Sequence, residues 1–397
     1  MDQLAKLRQA TRAVLCAECG KCTSMCPLAS SGDFSPRAIA SQDLEDGING
    51  RGVAVCRCLT CGACELRCPQ DVHFSEYVRG VRELIPPEAR EPCPHRDVFS
   101  CAARLMATPD GPTRDTQWIT GDLKVAKEGE VGFFVGCLPF FDVVFKEQLG
   151  LETVEIARAT VRVLNHLGVE PVVLDEERCC GHDQLWSGDG ETFRALAEAN
   201  VAAFAARGVK HIVTSCAECC RTWRLDYAEV APDYQPRVEH LAEFLAPRLE
   251  SGEVALQSNG ELKLTYQDPC RLGRHLGIYE APRKTLAAMP GAKVVEMARG
   301  GRDALCCGTS GFIHCDADSR RLQTERLGDA AGTGAQKLVT ACPKCLIHFT
   351  CAQAEDSRRD GRTPSIEVQD LTVLAASMLE GAEKTEQATE QAVGAVT

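Results

Sequence analysis

In the stretch Cys179-Cys180-Gly181-His182-Asp183 two thiols stand side by side, and the rest of the second half of the chain is spaced around them. A lone Cys137 lies 42 positions before Cys179, and a Cys216-x-x-Cys219 pair begins 36 positions after Cys180. The same frame then recurs as Cys270, Cys306-Cys307-Gly308 and Cys342-x-x-Cys345, with gaps of 36 and 35 positions. A frame of five cysteines repeated in order is an internal duplication. Five convergent thiolates are one too many for structural zinc, whose sites hold four ligands in a tetrahedron. A polynuclear iron–sulfur centre offers more metal positions. Zinc in one frame, or merely buried thiols, is the alternative reading.

Eight of the cysteines ahead of the duplication fall into two runs. Cys16-x-x-Cys19-x-x-Cys22-x-x-x-Cys26-Pro27 is the bacterial ferredoxin run, and Cys58-x-x-Cys61-x-x-Cys64-x-x-x-Cys68-Pro69 repeats it. In two-cluster proteins of this type the fourth cysteine serves the other cluster. That pairs Cys16, Cys19 and Cys22 with Cys68, and Cys58, Cys61 and Cys64 with Cys26, around two cubane [4Fe-4S] clusters. Residues 2–15 read as an amphipathic helix on Leu4, Leu7, Val14 and Leu15. Ser35-Pro36 opens another helix, with Ser35 as cap and Pro36 at the first helical position. Phe74, Tyr77, Val78, Val81, Leu84 and Ile85 recur at helical spacing.

The duplicated frame resembles the cysteine-rich CCG domains of heterodisulfide reductases and of the iron–sulfur subunits of glycolate and lactate oxidases. The resemblance extends to Tyr266-Gln267-Asp268-Pro269-Cys270-Arg271-Leu272-Gly273-Arg274 and to Thr340-Ala341-Cys342-Pro343-Lys344-Cys345. The family usually has His where Arg271 stands and commonly Pro where Asp183 stands. The resemblance implies that Cys137, Cys179, Cys180, Cys216 and Cys219 bind one noncubane [4Fe-4S] cluster, and that Cys270, Cys306, Cys307, Cys342 and Cys345 bind a second. Residues 1–85 in turn resemble the α-helical ferredoxin domain of succinate dehydrogenase and heterodisulfide reductase. Cys56, Cys93, Cys101, Cys220, Cys315 and Cys351 are left over. They read as packing or incidental thiols, with Cys220 and Cys315 nearest to a cluster.

Twenty-four cysteines in 397 residues point to metal centres. Met1-Asp2-Gln3-Leu4-Ala5-Lys6-Leu7-Arg8 lacks the apolar core of a signal peptide, so a reducing cytoplasm is the expected compartment. A net charge of −12 argues against nucleic acid as a partner. The most apolar run, Val131 to Phe145, is interrupted by Gly132, Gly136, Pro139 and Asp142 and is too short to span a bilayer. Direct membrane insertion is therefore not expected. Neither a dinucleotide fingerprint nor a P-loop is present.

The expected architecture is α+β multidomain: an α-helical ferredoxin domain over 1–85, a proline-rich connecting segment over 86–128, α/β CCG domains over 129–255 and 256–380, and a flexible tail over 381–397. Strands are expected at Glu130 to Val135, Pro171 to Leu174 and His211 to Thr214, then at Leu262 to Tyr266, Lys293 to Glu296 and Leu338 to Thr340. Helices near 154–167, 191–207, 281–289 and 317–331 separate them, Ile366 to Leu379 closes the fold, and the thiols gather at strand ends.

The family resemblance implies a chemistry in which each noncubane cluster takes one sulfur of a disulfide. Substrate would then lie between the paired half-domains, and electrons would arrive through the cubanes from a flavin-containing partner subunit. Candidate proton-handling groups are His182, His275, Lys344 and His348, while Arg271 and Arg274 are placed to hold an anion or neutralise cluster charge. Three functions follow: a subunit of a soluble heterodisulfide-reductase-like complex acting on a small-molecule disulfide or thiol; an electron relay for a flavin dehydrogenase of the glycolate or lactate type, or for a benzoyl-CoA-reductase-type complex; or a redox-sensing or scaffold protein with structural CCG domains.

Overall fold

The computed structural model describes residues 3–32, 34–42, 55–86, 94–258, 260–309, 312, 315–356 and 363–379. Cys93, the segment from 43 to 54 and the tail from 381 lie outside the described residues. The helix expected over residues 2–15 ends earlier, at Ala10, because Arg12 turns into the left-handed region with φ of 61°. Val14 and Leu15 are consequently exposed, while Leu4 is buried. The helix Pro36–Gln42 begins as expected, with the Ser35 hydroxyl accepting the Ala38 N–H at 3.2 Å. The helix Phe74–Leu84 buries Phe74, Tyr77, Val78 and Val81 along one face.

Two parallel sheets follow. The first has order β1-β2-β3, from Val131–Phe133, His211–Thr214 and Arg237–His240. The second has order β5-β4-β6-β7, from Leu262–Gln267 (β4), Ala292–Val294 (β5), Lys337–Thr340 (β6) and Glu367–Asp370 (β7). Parallel neighbours require long crossovers. The helices Val154–His166 and Gly190–Ala206 supply them in the first half, and Glu280–Ala287 and Ala317–Gly332 in the second. Strands β1, β2 and β3 thus correspond to β4, β6 and β7. The strand expected at Pro171 to Leu174 shrinks to Val172, which bridges Gly132 and Ala126. Pro171 has no N–H to extend a ladder and contributes only its carbonyl, to Ala126.

Of the elements not anticipated, three helices and a strand bear most on the site. The helix Leu138–Leu149 springs directly from Cys137, with Pro139 in its first turn. β3 leads into the helix Leu241–Glu250, where the His240 ring accepts the Ala242 N–H at 3.1 Å and Glu243 returns to the His240 N–H at 3.1 Å. The helix Val98–Met106 lies inside the segment expected to be a connector, with Phe99 stacked on Phe312 at 4.3 Å.

The three parts are fastened by buried arginines. Arg82 donates to the carbonyls of Val55, Cys56 and Cys58 in the second ferredoxin run and to Trp186 in the first sheet domain. Arg274 donates to the Cys61 carbonyl at 2.6 Å, and Arg57 pairs with Asp318 at 2.6 Å. Gly188 marks how close the first of these contacts is. It has φ of 91°, and a Cβ there would stand 2.5 Å from the carbonyl carbon of Arg82. Gly252 is also left-handed, with φ of 75°, yet has open space around it. Gly252→Ala is expected to cost about 1 kcal/mol of backbone strain, and Gly188→Ala at least twice that, as a larger loss of thermal midpoint under anaerobic conditions. Equal losses would contradict the close approach.

Candidate functional site

The cysteines converge in four groups. Cys16, Cys19, Cys22, Cys68 and Pro69 line one small cavity, and Cys26, Pro27, Cys58, Cys61 and Cys64 line another. These are the two crossed sets anticipated from the ferredoxin runs. The first lies toward the surface, with Cys19 exposed, and the second is deeper, with Cys58 and Cys61 buried.

The duplicated frame makes two nests at the carboxyl ends of parallel strands, where open α/β sheets place their sites. In the first, the Cys137 and Cys179 sulfurs are 3.5 Å apart, and the thiols continue in contact through Cys180 and Cys219 to Cys216. In the second, Cys270 meets Cys306, Cys307 lies beside both Cys306 and Cys345, and Cys345 meets Cys342. Two contacts join the groups to one another. The Cys61 thiol of the inner ferredoxin set meets Cys306, and Cys216 of the first nest meets Cys342 of the second. Hydrogen bonding with Cys306 holds Cys61 down at about 5, against burial, which pushes it up.

The residues fit iron–sulfur groups by an observation other than their thiols. Buried donors around the nests lack partners among the described residues: Nη2 of Arg114 near the first, Nη2 of Arg274 and Nε2 of His348 near the second. Cluster sulfides and thiolates are the acceptors such donors lack. Gly136, with φ of 67°, brings backbone so close to the first nest that a Cβ would stand 2.9 Å from the Cys219 sulfur.

His182, His275, Lys344 and Arg271 fall into one buried network. The Lys344 ammonium contacts Asp183 and lies 2.5 Å from Glu218. His182 Nδ1 is 2.9 Å from Asp183 and 3.4 Å from Glu218, while its Nε2 accepts from Arg271 Nε at 2.9 Å. Arg271 also donates to the Thr60 carbonyl at 2.6 Å, the Thr60 hydroxyl at 2.8 Å and His275 Nε2 at 2.8 Å, and stacks 4.0 Å over Trp186. Burial drives the His182 imidazole down to about 3 and holds His275 well below its ordinary value, so both rings are neutral at pH 7. Burial also lifts Glu218 to about 8, against the pull of Lys344. Sequence reasoning passed over Glu218, although it lies between the two thiols of Cys216-x-x-Cys219, and it left the reason for Asp183 open. It also missed Glu177, which accepts the Val135 and Gly136 N–H groups at 2.9 and 2.8 Å just ahead of Cys137. His348 Nδ1 lies 3.4 Å from the Cys307 sulfur. Of the spare cysteines, Cys220 is fully buried in the first domain's core, as expected for packing, whereas Cys315 and Cys101 are exposed.

This geometry defines a class, an iron–sulfur protein with a ferredoxin module docked on a duplicated thiol-rich α/β unit. Comparison with known families agrees: a 4Fe-4S dicluster domain matches residues 11–73, and the CCG cysteine-rich domain matches residues 131–223 and again 264–350. The chain thus carries a 4Fe-4S dicluster domain followed by two CCG cysteine-rich domains, and it is similar to heterodisulfide reductase chains that join these modules. A dihydromethanophenazine:CoB–CoM heterodisulfide reductase chain of Methanosarcina acetivorans is 29% identical over 407 residues, covering 92% of this chain and 93% of its own length. A chain of the CoM/CoB fumarate reductase of Methanothermobacter marburgensis is 26% identical, over 88% of this chain and 70% of its own. The EtfAB:quinone oxidoreductase of Syntrophomonas wolfei is 29% identical over 59% of this chain and 33% of its own. The chain is an iron–sulfur oxidoreductase subunit that binds 4Fe-4S groups and carries electrons. Among the described residues no helix is long and apolar enough to cross a membrane.

Lys344→Met would leave the Asp183 and Glu218 carboxyls buried without their cation, at a cost of about 3 to 5 kcal/mol. Adding Asp183→Asn and Glu218→Gln should recover most of that loss. Anaerobic denaturation of the single and triple variants checks it; a triple variant no more stable than the single would remove the ion pair as the cause.

Proposed function

We propose that the chain is the electron-carrying and disulfide-reducing subunit of a heterodisulfide-reductase-like complex, taking electrons from a flavin-containing partner. Cys16, Cys19, Cys22 and Cys68 would hold an outer cubane, and Cys26, Cys58, Cys61 and Cys64 an inner one. Cys270, Cys306, Cys307, Cys342 and Cys345 would hold one noncubane group, and Cys137, Cys179, Cys180, Cys216 and Cys219 the other. When bound, these groups supply one-electron storage and, in the nests, iron that takes up sulfur. The observation that carries the reading is the pair of thiol contacts, Cys61 with Cys306 and Cys216 with Cys342. They string the groups in one line, so electrons would enter the second nest before the first, and the two nests adjoin where a disulfide must meet both. Arg271, His182 and His275 brace the inner ferredoxin loop against that junction, and Lys344 supplies a buried positive charge beside it.

A second reading, an electron relay without disulfide chemistry, is favoured by the likeness to the EtfAB:quinone oxidoreductase. Electron paramagnetic resonance of the oxidised protein with and without coenzyme M separates the two. The disulfide reading expects a paramagnetic state that appears only with the thiol; a relay shows reduced-cluster signals indifferent to it. Metal analysis of anaerobically purified protein should return about sixteen irons, four for each of four groups, and a zinc in either nest would end the disulfide reading.

A further inference from the structure

The segment between the dicluster match, which ends at 73, and the first CCG match, which begins at 131, does more than connect. It straps the first nest. Ala103 packs with Cys179 and Leu196, and Met106, Ala107 and Cys137 close around them. Arg178, next to Cys179, reaches back to hold the Thr108 carbonyl at 2.6 Å. The strap ends on Arg114, whose side chain is only 6% exposed. Its N–H donates to the Asp175 carbonyl, and its Nε donates to the Glu177 carbonyl at 2.8 Å and lies 3.3 Å from the Glu177 carboxylate. Glu177 is itself wholly buried and holds the Val135–Gly136 turn that delivers Cys137. The guanidinium is therefore locked in place, its charge acts on Cys137, Cys179 and Cys219, and its Nη2 is buried with no acceptor among the described residues. A rigid, desolvated donor without an acceptor is costly unless a bound group supplies one.

We infer that Arg114 donates through Nη2 to the iron–sulfur group of the first nest and raises that group's reduction potential as a positioning residue. A fixed positive charge in a dry site stabilises the more negative, reduced form of its neighbour. Among the described residues the second nest has no counterpart of the strap or of Glu177: the residue two before its cysteine pair is Ala304, and the buried nitrogen without an acceptor there, Nη2 of Arg274, belongs to a side chain of its own domain whose other nitrogens hold the Cys61 and Ala304 carbonyls. Arg114 accordingly makes the two duplicated nests unequal.

The inference rests on the first nest holding an iron–sulfur group, which the iron count of the native protein tests separately. The experiment is a redox titration followed by paramagnetic resonance on anaerobic full-length Arg114→Gln and Arg114→Lys. With iron retained, Arg114→Gln should shift one midpoint negative and leave the rest, and Arg114→Lys, which keeps the charge, should shift it less. Unchanged midpoints in Arg114→Gln, or equal shifts in both variants, would overturn the inference. Should Arg114→Gln not fold, Glu177→Gln decides: removing the counter-charge should move the same midpoint positive, and no shift or a negative one would refute the role. Native protein with far fewer than about sixteen irons would sink the cluster reading and this inference with it.

Discussion

One ammonium between two buried carboxyls is what closes the duplicated halves on each other. Glu218 stands third in Cys216-Ala217-Glu218-Cys219, and Lys344 stands third in Cys342-Pro343-Lys344-Cys345. The two positions are equivalent in the duplication and hold an acid and a base, so the pairing at 2.5 Å runs across the pseudo-symmetric junction and brings Cys216 against Cys342. Asp183 adds a second carboxyl to the same ammonium. A buried ion pair gains little net stability, because desolvation offsets most of the attraction. Its larger effect is on register: with either charge unpaired, the closed arrangement of the halves is strongly disfavoured.

The ferredoxin module is fastened by the same principle with different chemistry. Arg271 spends three hydrogen bonds on Thr60 and His275 and one on His182, with its flat face on Trp186, so one side chain touches all three parts of the molecule. A histidine at that position could not reach that set of acceptors at once, since a guanidinium offers five donors and an imidazole at most two. Neutral His182 and His275 are the acceptors that make the arrangement satisfiable. Burial is the larger cause of their low proton affinity, and the Arg271 charge adds to it.

Spacing carried most of the fold. The ferredoxin runs marked the crossed thiol sets, the five-cysteine frame marked the duplication, and β2 from His211 to Thr214 was legible from a short apolar run ahead of a cysteine. What was illegible depends on contacts distant in sequence. The helix from Leu138 merged with β1 into one apolar run, because strand and buried helix look alike when too few polar residues mark a period. β3, Arg237–His240, has charge at both ends of its short run and owes its place to pairing with β2. The N-terminal helix overran because Val14 and Leu15 suit a helical period, and nothing local showed that Arg12 would break it. Lys344, His182, Arg271 and His275 could be named from their nearness to cysteines, but that they share one network could not. Glu177 and Arg114 were invisible for the same reason, one in a charged run and one in a segment rich in proline.

Duplication followed by divergence leaves its record in what surrounds the ligands. The two nests keep five thiols each in nearly equal spacing, yet each half has acquired a different neighbour. The second half meets the ferredoxin module through Arg274 at the Cys61 carbonyl, Arg271 at Thr60 and Asp318 at Arg57, and its nest thiol Cys306 is in contact with Cys61. The first half is covered by the strap from Val98 to Arg114 and by aromatic rings, with Phe99, Phe141 and Phe145 grouped around Phe312 of the other half. The ferredoxin module reaches the first half too, at Trp186 and Gly188, but the thiol contact with it belongs to the second nest, while the strap packs on Cys137 and Cys179 of the first. The pseudo-symmetry therefore brings the sulfur positions together, while its breaking gives one nest an approach from the ferredoxin side and covers the other with the strap.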